Sequence, residues 1–284
     1  MKRFVFLVAL QLIIFSSLSL AQAPVEKSVF WEIAHPDSEK TSYLFGTIHL
    51  IPASDYKMPE LVSEKVSQSE VMIQEVDLQN IDQNLVMNKM SLPDNKLLSD
   101  YLSPKKYQDF QKKLKKYGVN EQKRAYISTL KPLISYGLVI NQIFDDMKIY
   151  EQELTKLASA RDIPVEGLET MEFQFALFDS ISIEDQLDLF YNSNIKREMK
   201  KIIRVYLKQD ISGMVAMTTE GEMKELEEQL LINRNKKWAD QLKSQLKEQS
   251  AFIAVGAGHL GGNYGVIALL REHGYQVTPI EIDF

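Results

Sequence analysis

A chain of 284 residues, 45% hydrophobic and 25% charged, carries ample apolar material for a large globular core. Its formal net charge of −6 argues against a nucleic-acid partner, which is usually met by a basic stripe. Because there is no cysteine, disulfides, thiolate metal sites and a cysteine nucleophile are excluded, and any metal must rest on histidine and carboxylate ligands.

The first residues read as a secretory signal peptide over 1–21. Lys2 and Arg3 form the positive start, Phe4 to Phe15 an apolar run broken only by Gln11, and Ser16 to Ala23 a stretch of small residues for cleavage near Ala21 or Ala23. The run is too short to span a bilayer, and no later stretch is apolar enough to do so. A mature protein in the periplasm or secreted is therefore expected.

Residues 29–34 and 41–48 read as two strands of a hairpin around His35-Pro36-Asp37-Ser38. Pro59 opens a helix to about Ser69. Val71 to Val76 follows as a strand apolar on both faces, which is the pattern of a central strand covered by helices. Its Glu75 and the following Asp77 thus arrive at a strand end. From 78 to about 160 the chain reads as helical. Ser103 and Pro104 start one helix with the apolar stripe Tyr107, Phe110, Leu114 and Tyr117, ended by Gly118. Its six lysines, Lys105, Lys106, Lys112, Lys113, Lys115 and Lys116, read as a solvated face. Pro132 to Asp145 reads as a buried apolar helix and Glu151 to Arg161 as another, followed by a strand at Ile163 to Glu166. Helices are expected again over Met171–Asp179, Glu184–Lys208, Ile211–Thr218 and Glu222–Gln249. A strand at 251–255, a helix from Gly265 to His273 and a last strand from Gln276 to Ile282 close the chain.

Strands cluster at both ends and helices fill the middle. The fold class expected is mixed α/β: a central mixed sheet built from N- and C-terminal strands and flanked by helices. Residues 22–284 form one domain in this reading, with a helical insertion or cap at about 78–160 and 170–248.

Two stretches carry one pattern. Tyr43-Leu44-Phe45-Gly46-Thr47-Ile48-His49 and Ile253-Ala254-Val255-Gly256-Ala257-Gly258-His259 are strand-like runs that break at a glycine and deliver a histidine three residues later. Half of the four histidines sit in this frame. Glycine at such a point permits a close approach. If the two strands are neighbours, His49 and His259 converge, and Glu75 is the carboxylate best placed to join them as the first shell of a divalent metal. The alternative is that each histidine is a satisfied polar group at a strand end. His35, in a Pro-containing turn, and His273, in the last turn of a helix, read as structural. Arg234 and Asn235 read from the residues alone as part of a surface helix, although asparagine within a helix is unfavourable and can mark a site. Glu169, beside Glu166, reads as a helix-starting or surface carboxylate. No G-x-S-x-G, H-E-x-x-H or G-x-x-x-x-G-K-[ST] motif is present. Gly256, Gly258 and Gly261 match a dinucleotide pattern, but only one strand follows them.

The segments Tyr43 to His49, Glu75 at a strand end, Pro164 to Thr170, Arg234-Asn235-x-x-Trp238, and Val255 to Leu260 followed by Leu269-Leu270-Arg271-x-x-Gly274-Tyr275-x-Val277 resemble the TraB/GumN family, to which the TIKI proteases of animals are related. The resemblance runs from about residue 29 to 280. It implies a metal-dependent protease built on paired G-x-x-H motifs and an acidic residue, and a fold related to the erythromycin-esterase-like and ChaN-like proteins. Carried over, it marks Gly46, His49, Glu75, Arg234, Asn235, Gly256 and His259. Together with the reading of the residues this gives His49, His259 and Glu75 as metal ligands, a set that suits zinc, manganese or cobalt, Glu75, Arg234 and Asn235 as catalytic residues, and Gly46 and Gly256 as substrate-binding or backbone positions; Glu169 is grouped with these last two without a family role of its own. A peptide or small molecule is the expected partner. Two other readings stay open: a metal-free hydrolase, and a binding protein for a peptide or a haem-like ligand.

Overall fold

A computed structural model of the chain describes residues 24, 26–144, 146–219 and 227–284. The signal-peptide reading, with its cleavage near Ala21 or Ala23, and the expected helix start at Glu222 lie outside the described residues. The strands are β1 (Phe30–Ala34), β2 (Thr41–Thr47), β3 (Leu50–Pro52), β4 (Val71–Val76), β5 (Met147–Ile149), β6 (Val165–Glu169), β7 (Ala251–Gly256) and β8 (Gln276–Pro279). The helices begin with α1 (Glu60–Gln68), α2 (Gln83–Met90), α3 (Leu98–Tyr101), α4 (Pro104–Lys116) and α5 (Glu121–Ile127). They continue with α6 (Pro132–Ile143), α7 (Tyr150–Ser159), α8 (Met171–Asp179), α9 (Ile183–Asn192) and α10 (Ile195–Leu207). The last are α11 (Ile211–Thr219), α12 (Asn233–Glu248) and α13 (Val266–Glu272).

The fold is mixed α/β, a six-stranded mixed sheet in the order β6-β4-β7-β2-β1-β8 with helices around it. Strands β6, β4, β7 and β2 are parallel neighbours, and β1 runs antiparallel to both β2 and β8. The N- and C-terminal strands do join in one sheet, because β7 inserts between β2 and β4. Every residue of β4 and of β7 is buried. That is why both read as continuous apolar runs rather than as an alternation. Register sets Thr47 beside Gly256 and Val76 beside Glu169. Four parallel strands therefore end along one edge of the sheet, each about 4.8 Å from the next. This edge is where open parallel sheets place ligands.

Several expected elements change. The helix expected over Glu184–Lys208 is two, α9 and α10, parted at Ser193 (φ −74°, ψ 144°), after which the Asn194 side chain caps α10 by accepting from Arg197 N. The last strand stops at Pro279. A short strand, β5, interrupts the region expected to be helical throughout and pairs with β3 in a two-stranded sheet apart from the main one. Helix α6 is only partly buried, through Pro132, Ser135, Val139 and Ile140. Helix α4 starts and ends as expected, with Ser103 accepting from Lys106 N and Gly118 in the left-handed region at φ +81°.

The lysine face of α4 has one exception. Lys113 Nζ donates to the carbonyls of Phe190, Tyr191 and Ser193 at 2.6, 2.7 and 2.9 Å. These are the orphan acceptors at the end of α9, where a cation suits the helix dipole. Lys112 has only a surface contact with Asp109 at 3.4 Å. Lys113→Met is expected to cost about 2 kcal/mol in urea unfolding, the scale of charged hydrogen bonds lost at half-buried acceptors. Lys112→Met is expected to change stability by less than about 0.5 kcal/mol.

Candidate functional site at the carboxyl edge of the sheet

Each predicted site residue arrives at the edge by a different short path. His49 lies two residues beyond β2, Glu75 is next to last in β4, Glu169 ends β6, and His259 ends a single 3-10 turn (Ala257–His259) that follows β7. Arg234 and Asn235 come from the first turn of α12. Successive side chains of β4 leave on opposite faces of the sheet. Gln74 accordingly donates to the Glu151 carbonyl on α7 at 3.0 Å, while Glu75 meets Arg234 on α12 at 2.7 Å. The site thus sits at the sheet edge between α7 and α12.

The two motif glycines make room for each other's neighbourhood. A Cβ on Gly46 would lie 2.9 Å from Leu260 Cδ2 and 3.1 Å from Ala257 Cα, so its absence lets the turn that carries His259 close on β2. A Cβ on Gly256 would lie 3.3 Å from both Glu75 Oε1 and His49 Nε2, so its absence keeps open the space between them.

The imidazoles converge on one carboxylate oxygen: His49 Nε2 and His259 Nε2 stand 4.0 and 3.9 Å from Glu75 Oε1. Each ring is held from behind through Nδ1. His49 Nδ1 donates to Glu151 Oε1 at 2.9 Å, and that oxygen also accepts from Thr47 Oγ1 at 2.7 Å. Asn235 Nδ2 donates to the Tyr264 carbonyl at 2.9 Å, which turns Asn235 Oδ1 toward His259 Nδ1 at 2.6 Å. This network assigns a proton to Nδ1 of both rings, leaves the His259 Nε2 lone pair to accept from Arg234 Nη1, and lets His49 Nε2 carry the second proton of its imidazolium on the Glu75 side.

Arg234 is the central cation. Its Nη2 donates to Glu75 Oε2 at 2.7 Å and to Glu169 Oε2 at 2.9 Å, its Nε to Glu169 Oε1 at 3.0 Å, and its Nη1 to His259 Nε2 at 3.2 Å. The guanidinium lies 4.7 Å from the Trp238 ring centre, and that ring packs at 4.5 Å against His259. Arg234 and Asn235 are therefore buried, not part of a surface helix, and Glu169 is a buried ion-pair partner rather than a surface carboxylate. Glu166, by contrast, is exposed and bonds Gln245.

Burial pushes the Glu75 carboxyl up, yet the cluster beside it, His259, His49, Arg234 and the Gly256 N–H at 2.8 Å, outweighs burial and holds it well below the usual carboxylate range. Burial holds His259 far down, at about 3, so it is neutral at physiological pH. His49 goes the other way. Glu151 raises it to about 9 against the cost of burial, although its side chain is 63% exposed to the cleft, where water screens the pair.

Two neutral-capable imidazole nitrogens and one ionised carboxylate oxygen suit a divalent ion in kind. Donors about 2.1 Å from one ion stand roughly 3.4 Å apart at tetrahedral angles. Both Nε2 atoms exceed that separation from Glu75 Oε1 by about half an ångström, and among the described residues no group of three His, Asp or Glu side chains stands close enough together to hold a metal ion. The three residues suit an ion in kind but not, as placed, in spacing, and Arg234 Nη1 occupies the Nε2 of one of them.

Glu151, Thr47 and Gln174, which donates to Glu75 Oε2 at 3.1 Å, were not among the residues expected from the sequence. Glu151 lies in the first turn of α7. An acid there is what the helix dipole favours anywhere, so it carried no separate signal.

A segment of 59 residues is 41% identical to a protein named Metalloprotease TIKI2 from Danio rerio, covering 19% of this chain and 11% of that one. A segment of 56 residues is 36% identical to a Metalloprotease TIKI homolog from Nematostella vectensis, covering 19% of this chain and 12% of that one. The matched segments thus span only about a tenth of either relative's length. No solved structure matches the chain. The TraB/PrgY/gumN family model matches residues 29–279, from just before β1 to the end of β8, and the chain belongs to that family.

Proposed function

We propose that the chain is an exported hydrolase of peptide bonds that works with a divalent metal ion held by His49, Glu75 and His259. The observation that carries this reading is the convergence of two Nδ1-anchored imidazoles on Glu75 Oε1. A segment's similarity to proteins named metalloproteases supports this reaction class. When bound, the ion would supply Lewis acidity, polarising a carbonyl oxygen and lowering the pKa of an adjacent water. Glu151 and Asn235 fix the two rings. Arg234 holds the second oxygen of Glu75 and keeps that carboxylate ionised. Its contact with His259 Nε2 is the one an ion would replace.

A metal-free hydrolase is the second reading, and that same Arg234–His259 contact at 3.2 Å favours it. One experiment separates them: hydrolysis of a mixed peptide pool by the purified protein, followed by mass spectrometry, with and without chelator. The metal reading expects the activity to fall at least about a hundred-fold in chelator, to return on adding zinc, manganese or cobalt, and to be absent in His49→Ala. Turnover that resists chelator but is lost in His49→Ala would establish the metal-free reading. Turnover that survives His49→Ala would overturn both.

A further inference from the structure

Two hollows meet at the site. The larger, of about 430 Å³, opens beside His49 and Glu75 toward α6 and is walled by Leu50, Met90, Ile134, Leu138, Ile149 and Met171. The smaller, of about 230 Å³, opens from the same two residues toward α12 and is walled by Leu177, Phe178, Leu230 and Leu231. Helix α8 bridges them. Its Met171 faces the first, Gln174 lies at the junction bonded to Glu75, and Leu177 and Phe178 face the second. The spacing of three and then three or four residues puts all of them on one helix face.

Charge tells what enters. The ionisable side chains along both hollows are His49, Glu75, Glu151, Arg234 and His259. Each is already committed within the network: His49 to Glu151, His259 to Asn235, Arg234 to Glu75 and Glu169. Among the described residues that line the hollows, no cation is left for a substrate's terminal carboxylate and no carboxylate for its terminal ammonium. A charged chain end placed here would be unpaired and costly. Neutral amides are available instead. Asn141 and Gln152 line the larger hollow exposed, and suit the N–H and C=O groups of an extended backbone.

Gly137 points the same way. It lies in the middle of α6, where glycine costs roughly 0.5–1 kcal/mol relative to alanine. A Cβ there would meet nothing within 4 Å, and its φ is not in the left-handed region, so neither packing nor backbone calls for glycine. The open space before it is the larger hollow itself, on the helix face shared by Ile134, Leu138 and Asn141.

We infer that the site cuts internal peptide bonds flanked on both sides by apolar side chains, with the bulkier side chain in the hollow beside Gly137. This rests on the hydrolase reading above. One water is consumed: its oxygen joins the carbonyl carbon, the C–N bond breaks, and a proton passes to the leaving amine.

The test uses the whole protein and hexapeptides acetylated and amidated at their ends. One carries Phe and Leu about the central bond, a second Ala in place of Phe, a third Ser and Asp at both positions, and a fourth is the apolar peptide with free ends. Cleavage is expected at the central bond of the blocked apolar peptide, with kcat/KM at least about ten-fold above that of the polar one, the scale of one filled apolar pocket. In Gly137→Leu, the Phe-over-Ala preference is expected to fall about ten-fold while Tm holds or rises. A preference for the polar or free-ended peptides, or an unchanged Phe preference in a stably folded Gly137→Leu, overturns the inference and leaves the hydrolase reading standing. Calorimetric binding of the blocked apolar peptide with no turnover overturns the hydrolase reading and retains this ligand for the cleft. Neither binding nor turnover overturns both.

Discussion

Arg234→Met is expected to be the most destabilising single change at the site, costing about 3–5 kcal/mol in urea unfolding at neutral pH. The guanidinium is the partner of two buried carboxylates, Glu75 and Glu169, the latter through three contacts between 2.9 and 3.1 Å. Removing it strips Glu169 of the only cation that bonds it among the described residues and leaves Glu75 to His49, the Gly256 N–H and Gln174, and that burial penalty, not the lost bonds, sets the size of the effect. Against a typical total stability of about 5–15 kcal/mol, it is a large fraction. Arg234→Lys is expected to fall between the two. A lysine keeps the charge but cannot span Glu75, Glu169 and His259 with one ammonium as the fork does. Combining Arg234→Met with Glu169→Gln is expected to recover part of the loss, since one uncompensated charge is gone. A loss below about 1 kcal/mol for Arg234→Met would show that the carboxylates find other partners or protonate without cost.

A large effect on activity at little cost in stability, with every polar side chain of the site retained, is expected from Gly256→Ala. Gly256 has φ −54° and ψ 134°, which alanine adopts freely. Its Cβ would stand 3.3 Å from Glu75 Oε1 and His49 Nε2 and 3.6 Å from His259 Cδ2, in the middle of the groups proposed to act. Displacing them by a few tenths of an ångström is expected to lower kcat/KM about a hundred-fold, while Tm holds or rises, because alanine reduces the freedom of the unfolded chain. Gly46→Ala reverses the balance. Its Cβ would strike Leu260 and Ala257, so the strand and the turn must part and stability falls. If Gly256→Ala kept activity within about three-fold, the space before Gly256 would not be where chemistry occurs.

How much of this could be read in the residues follows from what each signal depends on. The strands β2, β4 and β7 were legible because burial on both faces writes an uninterrupted apolar run. Glycine and histidine at their ends then marked His49 and His259, and the adjacency of β2 and β7 that convergence requires is present. Arg234 and Asn235 misled the residue-level reading because a polar pair on a helix normally faces water. Arg234 is buried against Glu169, which ends a strand more than sixty positions away in sequence, and Asn235 against His259 and Tyr264 more than twenty positions on, and no local pattern encodes those distances. Glu151 was hidden by being ordinary at its position. Strand β5 has three residues, too few to establish a period, and exists through its pairing with β3. The break between α9 and α10 was written in Asn192-Ser193-Asn194, a run that favours caps over helix interior.

The insertion of β7 between β2 and β4 has a consequence for how the protein comes into being. Both neighbours are made early, and residues 77–250 separate β4 from the strand that fills the gap. Until β7 docks, β2 and β4 each present an open edge of hydrogen-bonding groups along an apolar strand, the feature most prone to wrong pairing. Closing so long a loop delays the central pairing and slows folding. Docking of β7 completes the sheet and in the same event delivers His259, the Gly256 N–H and the floor under Glu75. A partly synthesised chain therefore holds no assembled cluster, and His49, Glu75 and His259 come together only when the middle strand, among the last to be made, slides home.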